Sequence, residues 1–236
     1  PLVPIVVQSL SYGTAEQRAA AADAMSLLAS LMTAAALKPF AIQLVGPLIR
    51  VVADRFPAPV KTAILSALRV MLIKAGPSLK PFVTQLQATF LKAMGDPTSA
   101  AVRLAASDAL SQLASTLGVV RVDTLLEQLI GVLANDDVAG PPALAAVLAS
   151  SSVSKASADN VTAARDALLE RVPDVIEQAG DEPRDSPAVN ALAGAIAVAF
   201  QTCDDTEQQQ ALSSISTDDE AGRYMVGKIK NQLQQK

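Results

Sequence analysis

Histidine and tryptophan are absent from this chain of 236 residues, cysteine occurs once, at Cys203, and aromatic residues make up only 3% of the sequence. Without histidine there is no Ser-His or Cys-His nucleophile pair and no imidazole metal ligand, and a single thiol cannot build a thiolate zinc site. The 11 glycines include neither a Walker loop nor a dinucleotide-binding fingerprint. We therefore predict no enzymatic activity, no cofactor and no metal site.

Long apolar runs are also missing. No uninterrupted run reaches the roughly 18 residues needed to cross a bilayer, and the nearest candidate is residues 191–200. The first residues, PLVPIVVQSL, carry neither a basic leader nor an initiator methionine, which indicates a fragment boundary within a longer chain rather than a signal peptide. We expect a soluble, cytoplasmic protein without a membrane partner.

What the chain does contain favours closely packed helices. Half of the residues are hydrophobic, with much alanine and leucine, and we expect almost no strand. Charge is divided unevenly: residues 1–118 hold 10 Lys and Arg against 5 Asp and Glu, a net of +5, whereas residues 119–236 hold 9 against 18, a net of −9. Opposite charges on the two halves indicate two different partners or a contact with flanking repeats; drift among solvated surface charges is the alternative.

A repeat of 42 residues runs through the first half of the chain. The matching positions are Leu37–Phe40 with Leu79–Phe82, Asp54 with Asp96, and Val60-Lys61 with Val102-Arg103. Two helical patterns lie within each period, and this combination is typical of a helical solenoid rather than of a globule with a single core. The fold class that we predict from this period is an all-α, right-handed helical solenoid.

The positions of proline and glycine indicate where the helices of this solenoid begin and end. We expect one helix from the Lys38-Pro39 step to about Val52 and its partner from about Val60 to the residue before Gly76-Pro77. The next pair would run from Phe82 to Met94 and from Val102 to Leu117. Further helices are expected at 2–10, 15–32, 122–133, 160–179, 187–201, 207–215 and 218–234. We assign residues 1–135 to well-formed repeats and residues 136–236 to degenerate repeats that continue the solenoid.

Several polar residues have an expected structural role. Asp54 and Asp96 should pair with turn amides or with the basic residues Lys61 and Arg103. The acidic pairs and triplet at 136–137, 204–205 and 218–220 lack calcium-binding spacing, and we interpret them as helix caps. Ser186 before Pro187 fits an N-cap better than a phosphorylation site. Pro47, after Gly46, predicts a kink in its helix.

Segments of this sequence resemble known proteins in two ways. The turn aspartate followed by Val-Lys or Val-Arg resembles the HEAT-repeat signature, in which the aspartate and the basic residue form a ladder along the stack. LKPFAIQLVGPLIRVVADRF, LKPFVTQLQATFLKAM and AAVRLAASDALSQLA are similar to the C-terminal HEAT array of the general control non-derepressible translational activator family. The resemblance covers residues 37–117, and the later, more acidic half departs from the family pattern.

This resemblance implies a non-catalytic scaffold. Members of the family associate with ribosomes and activate the kinase of the initiation factor two alpha subunit during amino-acid starvation, through binding of the kinase's RWD domain. The arginine that ends GPLIR, Arg50, is similar to an arginine on which kinase binding depends; a solvated charge or a partner for Asp54 is the alternative. Arg55, Lys61 and Arg103 are further candidates for partner binding. Flanking repeats of the same chain are expected partners as well.

The sequence is compatible with two other functions. The basic half could bind ribosomal RNA, with Lys61, Lys74, Lys80, Lys92 and Arg103 as phosphate contacts. A pI near 4.9 and the scarcity of aromatic residues for base stacking argue against it, so nucleic acid would be met only through the ribosome. The chain could also be another HEAT scaffold, such as a transport receptor or a tubulin-binding array.

Overall fold

A computed structural model describes residues 2–136, 138–180, 182–201 and 203–234 of the chain. Within these ranges it contains α-helices and short 3-10 helices but no strand, which confirms the all-α prediction. The helices of the first half are α1 Leu2–Tyr12, α2 Ala15–Leu31, α3 Ala34–Val52, α4 Ala58–Ala75, a 3-10 helix Gly76–Phe82, α5 Val83–Met94 and α6 Ala100–Leu117.

The second half continues with shorter helices. They are α7 Val122–Leu133, α8 Gly140–Leu148, a 3-10 helix Ser151–Lys155, α9 Ala158–Glu170, α10 Val172–Ala179, α11 Pro187–Phe200, α12 Asp205–Ser213 and α13 Glu220–Leu233. The chain divides into two compact units, Pro1–Val119 and Val120–Lys236, which we call unit 1 and unit 2. The proposed boundary between well-formed and degenerate repeats at residue 135 stays a prediction.

Unit 1 is a stack of three helix pairs. α1 packs on α2, α3 on α4 and α5 on α6, while α4 lies between α2 and α6 and the first helix of each pair contacts the next one. The second helices α4 and α6 begin and end 42 residues apart, as the sequence repeat requires. Each pair therefore contacts its neighbours in the stack, which is the packing of a helical-repeat array.

The apolar stripe predicted for α4 forms the centre of unit 1. Five side chains spaced along one face of the helix are completely buried; they are Ile64, Leu65, Leu68, Met71 and Leu72. Burial of an aliphatic side chain of this size stabilises the folded state by roughly 1.5–3 kcal/mol relative to an exposed one. The stripe thus supplies the main contact with the helices on either side.

The first helices of the pairs differ from the prediction at their N-termini. We expected α3 to begin at Pro39, but it begins at Ala34, because the Thr33 side chain accepts a hydrogen bond from the Ala36 amide and caps the helix. Alanine is the best helix former, so the first turn forms although Pro39 follows inside the helix. In the next repeat the corresponding residues begin Gly76-Pro77, poor helix formers, and they adopt a 3-10 helix before α5.

Pro47 leaves α3 continuous up to Val52. Gly46 has open space around the position that a Cβ would occupy, so close packing does not require a glycine there. The kink that we expect at these two residues stays a prediction.

Unit 2 is arranged around α11. This helix packs on α8, α9, α10 and α13, and α7 packs on α8 and α9. The prediction of a single helix at 160–179 is wrong, because the chain forms two helices there, α9 and α10, that meet at Arg171. Pro173, in the first turn of α10, lacks the amide that would have continued the hydrogen-bond ladder of α9, so the chain starts a new helix there.

Two helical stretches, 34–52 and 58–94, have the length and apolar composition of a membrane span, although uninterrupted apolar runs suggested none. The second stretch comprises α4, the 3-10 helix and α5. Both are partly buried inside the protein, and core helices of proteins in water meet the same criterion. They are weak evidence for a membrane, and their buried faces are accounted for by the helix stack.

Candidate protein-binding site

The turn between α5 and α6 is organised by one aspartate. Asp96 Oδ1 accepts hydrogen bonds from the Thr98 amide at 3.0 Å, the Thr98 hydroxyl at 2.8 Å and the Ser99 amide at 3.1 Å. Its other oxygen, Oδ2, accepts from Lys61 Nζ of the preceding repeat at 2.7 Å. The ladder expected between Asp96 and Lys61 is therefore present, and it joins two repeats.

This pair is more buried than a surface ion pair. The Asp96 side chain is only 6% exposed and that of Lys61 is 23% exposed. The hydrogen bond from Lys61 is the main cause that holds the pKa of Asp96 well below its usual range, and the Thr98 donors lower it further. Arg103 also joins this turn, because its guanidinium donates to the main-chain oxygen of Asp96 at 3.1 Å.

The equivalent turn one repeat earlier is built in another way. Asp54 is exposed, and its carboxylate has no hydrogen bond or ion pair among the described residues. Arg18 is the fourth residue of α2, as Lys61 is of α4. It donates instead to the main-chain oxygens of Leu10 and Gly13, and its guanidinium lies 4.5 Å from the centre of the Phe56 ring. The ladder predicted for Asp54 is therefore wrong in this repeat.

One residue exchange explains the difference between the two turns. Phe56 stands at the position that Thr98 occupies 42 residues later. Thr98 donates its hydroxyl to the turn aspartate, whereas a phenylalanine ring has no donor and offers its face to a cation. The basic residue consequently contacts the ring in the first turn and the carboxylate in the second.

Arg50 lies in the last turn of α3 and is exposed. Its guanidinium makes no hydrogen bond or ion pair within the described part of the chain, so the alternative of a partnership with Asp54 finds no support in the geometry. Arg55, in the turn after α3, is likewise exposed. A positive charge is favoured at the C-terminus of a helix by the helix dipole, and Arg50 meets that condition while its five donors stay available.

Lys61 and Arg103 are placed differently from Arg50 and Arg55. Both are half-buried and both have partners in the Asp96 turn. The structure therefore separates the four candidate residues into an exposed pair, Arg50 and Arg55, and a pair engaged in the repeat ladder. Their roles in partner binding stay predictions.

Lys92 was not predicted as a contact with a protein partner. The sequence predicted it only as a phosphate contact. It follows Arg50 by 42 residues, and it lies in the last turn of α5 as Arg50 lies in the last turn of α3. A cavity of about 410 Å3 lies beside it, between the C-terminal ends of α3 and α5, and the repeat spacing was the signal that could have placed Lys92 there.

Each acidic cluster singled out in unit 2 contributes one residue to a helix cap or a turn. Asp204 and Asp219 accept from the amides of Glu207 at 2.8 Å and Gly222 at 2.6 Å, and Ser186 accepts from the Val189 amide, which confirms the capping predictions. Asp136 accepts from the Val138 and Ala139 amides, as Asp96 does in its own turn. Asp137, which we assigned to the same turn, lies outside the described residues.

A further carboxylate of unit 2 was not expected. Asp123 on α7 accepts from the Ser157 amide at 2.8 Å and from the side chains of Ser157 and Asn160, at the start of α9. These hydrogen bonds, that of the Ser157 amide above all, lower the pKa of Asp123. The link joins residues 34 positions apart in the chain, so no local sequence signal could have revealed it.

No cluster of three potential metal ligands occurs within residues 2–136, 138–180, 182–201 and 203–234. Cys203 is buried, and its burial raises the pKa of the thiol, which disfavours the reactive thiolate. The exposed surface of unit 1 instead offers cations, among them Arg50 and Arg55, that make no ion pair within the described residues. This arrangement can bind acidic groups of another molecule.

Comparison with solved structures confirms a helical-repeat fold. A designed armadillo repeat protein in complex with a (KR)4 peptide covers 99% of this chain with a TM-score of 0.63 at 14% sequence identity, and the chain covers all of it. An engineered protein from a structural genomics consortium (target OR366) gives a TM-score of 0.65 at 18% identity, with 99% of both chains covered. At this identity the likeness concerns the fold alone.

Curated proteins supply the sequence comparison. The eIF-2-alpha kinase activator GCN1 of Dictyostelium discoideum is 40% identical over 74 residues, and that of Saccharomyces cerevisiae is 45% identical over 73 residues. The stalled ribosome sensor GCN1 of Homo sapiens is 42% identical over 75 residues. The match covers 31–32% of this chain but only 3% of each relative. No protein-family model matches the chain.

These matches agree with the resemblance drawn from the repeat strings. About a third of the chain shares 40–45% of its residues with proteins named for kinase activation or for sensing stalled ribosomes. Over that third, the chain is similar in sequence to a short region of GCN1.

Proposed function

We propose that this chain is a non-catalytic scaffold within a cytoplasmic regulator of translation, and that it binds the RWD domain of the eIF-2-alpha kinase, the ribosome, or both. The observation that carries the proposal is the 40–45% identity, over about 75 residues, to proteins named eIF-2-alpha kinase activator GCN1. A helical-repeat array supports it, because such arrays present extended surfaces suited to binding other macromolecules.

Arg50 is the proposed contact with the RWD domain. It is exposed at the end of α3, where its guanidinium fork is free to meet a carboxylate through two parallel hydrogen bonds. Arg55 lies five residues further along the chain, in the exposed turn, and is the second proposed contact. Lys61 and Arg103 hold the Asp96 turn together, and we propose that they affect partner binding by shaping this turn.

A binding assay with the purified RWD domain of the kinase tests this function. Arg50→Ala should weaken binding by about 2 kcal/mol or more, the usual threshold for an interface hot spot, with little change in unfolding free energy. Arg50→Lys should recover only part of the affinity, since a point charge cannot reproduce the planar fork. Arg69→Ala is the matched control, because Arg69 is an exposed arginine on α4 of the same unit.

Binding to purified ribosomes is measured in parallel. The second candidate function, contact with ribosomal RNA, draws on the excess of cations in unit 1 and on the strong dependence of phosphate binding on lysine and arginine. Suppose Arg50→Ala binds the RWD domain as the parent does, while changes at Lys61 and Arg103 abolish ribosome association. Kinase binding would then be the wrong function, and ribosome binding would replace it.

A further inference from the structure

Unit 1 has a groove between the C-terminal ends of its first helices, α3 and α5. It has a volume of about 410 Å3, and Val52, Ala53, Ala88 and Ala93 give it apolar walls. Lys92 and the ladder pair of Lys61 and Asp96 also line it. Small side chains on neighbouring helices leave this space open, and a segment of another protein could insert apolar side chains into it.

Charge decides what kind of segment fits this α3–α5 groove. The one carboxylate on its wall, that of Asp96, is saturated by Lys61 and by the three donors of its own turn. Lys92 is exposed, and its ammonium makes no ion pair within the described residues. The cation available in the groove is therefore Lys92, and a partner carboxylate would complement it.

The repeat extends this charge into a row. Arg50 and Lys92 occupy the same position in successive first helices, 42 residues apart, and packed helices of this kind lie roughly 10 Å from axis to axis. The groove opens between the two helix ends that carry these cations. A partner with acidic side chains at that separation, and an apolar side chain between them, would contact both.

We propose that the α3–α5 groove binds an acidic segment of a protein partner, with Lys92 as the contact for a carboxylate and Val52, Ala88 and Ala93 as the apolar floor. The proposal rests on the proposed function only in taking Arg50 as the neighbouring contact. A protein segment is favoured over RNA because, among the described residues, no aromatic side chain lines the groove to stack on bases.

The test uses the full chain and a short, capped peptide of alternating glutamate and leucine. Nitrogen-15 NMR spectra should show shifts of the amides of Ala53, Ala88 and Lys92 when the peptide is added. Lys92→Glu should weaken peptide binding by about fivefold, the effect of an exposed charge pair. Lys38→Glu, in the N-terminal part of α3 and also exposed, should bind as the parent does. A peptide with lysine in place of glutamate should not bind.

Two results would contradict the proposal that the α3–α5 groove binds an acidic segment. One is equal loss in Lys92→Glu and Lys38→Glu, which would mean that only the net charge of unit 1 matters. The other is binding of a uridine oligonucleotide that depends on Lys92 while the acidic peptide leaves the groove amides unshifted, which would assign the site to phosphates.

The RWD domain separates this proposal from the function proposed above. If Arg50→Ala loses the domain but Lys92→Glu does not, and the peptide shifts no groove amide, the groove is wrong and kinase binding stands. If the parent chain ignores the RWD domain yet binds the peptide through Lys92, the groove stands and the partner is a different acidic protein.

Discussion

At the scale of single residues, the two turn aspartates show how one position in a repeat acquires different roles. Asp96 is 8% exposed and accepts from four donors, whereas Asp54 is exposed and has no side-chain partner in the described part of the chain. An exposed ion pair is worth at most about 1 kcal/mol. That estimate does not suit Asp96, because its removal would leave a half-buried ammonium and two turn amides without their acceptor.

The first prediction compares alanine at the two positions. Asp96→Ala should lower the unfolding free energy by about 2–3 kcal/mol, because hydrogen bonds to a buried charge are lost together. Asp54→Ala should change it by less than about 0.5 kcal/mol, as a surface substitution. Urea unfolding followed by circular dichroism measures both. An effect of Asp96→Ala as small as that of Asp54→Ala would show that the hydrogen bonds to Asp96 contribute nothing to stability.

The second prediction concerns acid. Because the folded-state pKa of Asp96 is depressed, its contribution to stability is complete above the unfolded-state value of about 4 and is lost as the pH falls below it. Asp96→Asn should therefore flatten the fall in unfolding free energy between pH 5 and roughly pH 2, as judged by urea unfolding at several pH values. Asp54→Asn serves as the control and should leave the parent's acid profile unchanged. If Asp96→Asn lost unfolding free energy with falling pH as the parent does, Asp96 would not be the source of that loss.

At the scale of elements, α13 illustrates why glycine is required at one place and costs stability at another. A Cβ at Gly222 would lie 1.9 Å from the main-chain oxygen of Ser216, in the loop that precedes the helix. A Cβ at Gly227, five residues further along the same helix, would meet no atom within 4 Å. The Gly222 amide also donates to Asp219, which caps the helix.

Alanine at these two glycines gives the third prediction. Gly222→Ala should destabilise unit 2 by about 1–3 kcal/mol, since the loop or the start of α13 must move. Gly227→Ala should stabilise it by about 0.5–1 kcal/mol, because alanine loses less conformational freedom than glycine in a helix. Thermal unfolding of the full chain distinguishes the two. Stabilisation by both changes would mean that the loop before α13 adapts at no cost.

At the scale of the whole molecule, the two units carry opposite net charge. Unit 1 holds the excess of Lys and Arg and unit 2 the excess of Asp and Glu, since the division between Val119 and Val120 leaves every charged residue on the side counted above. Each unit has its own buried core. In a repeat array, stability arises from a repeat and its neighbours, so a stack of three helix pairs contains most of what it needs to fold.

The fourth prediction is that residues 1–119 fold without unit 2. The isolated fragment should be helical by circular dichroism and unfold cooperatively in urea, and it should retain any RWD-domain binding that depends on Arg50. Residues 120–236 are the matched fragment, of nearly equal length, and should lack that binding. An unfolded 1–119 fragment would show that its core is completed by residues beyond Val119.

The sequence by itself determined the class of fold and its period. Spacing of apolar residues, glycine and proline placed α4 and α6 and the turn between α5 and α6, because helix propensity, capping and amphipathic periodicity act over a few residues. The same local rules identified Ser186, Asp204 and Asp219 as caps. They failed at Pro39, where the alanines and the Thr33 cap outweigh the proline, and at Pro173, where a proline divides a helix expected to be continuous.

Only the tertiary structure decided which equivalent residues are paired and which are exposed. Lys61 reaches Asp96 across 35 positions of sequence, and Arg18 reaches Phe56 across 38. Whether a basic residue in the ladder contacts a carboxylate or an aromatic ring depends on the side chain that the neighbouring repeat brings to it. The α3–α5 groove exists because separate helices place alanines and Lys92 around one space. Contacts of this kind join residues far apart in the chain, so packing alone assigns them.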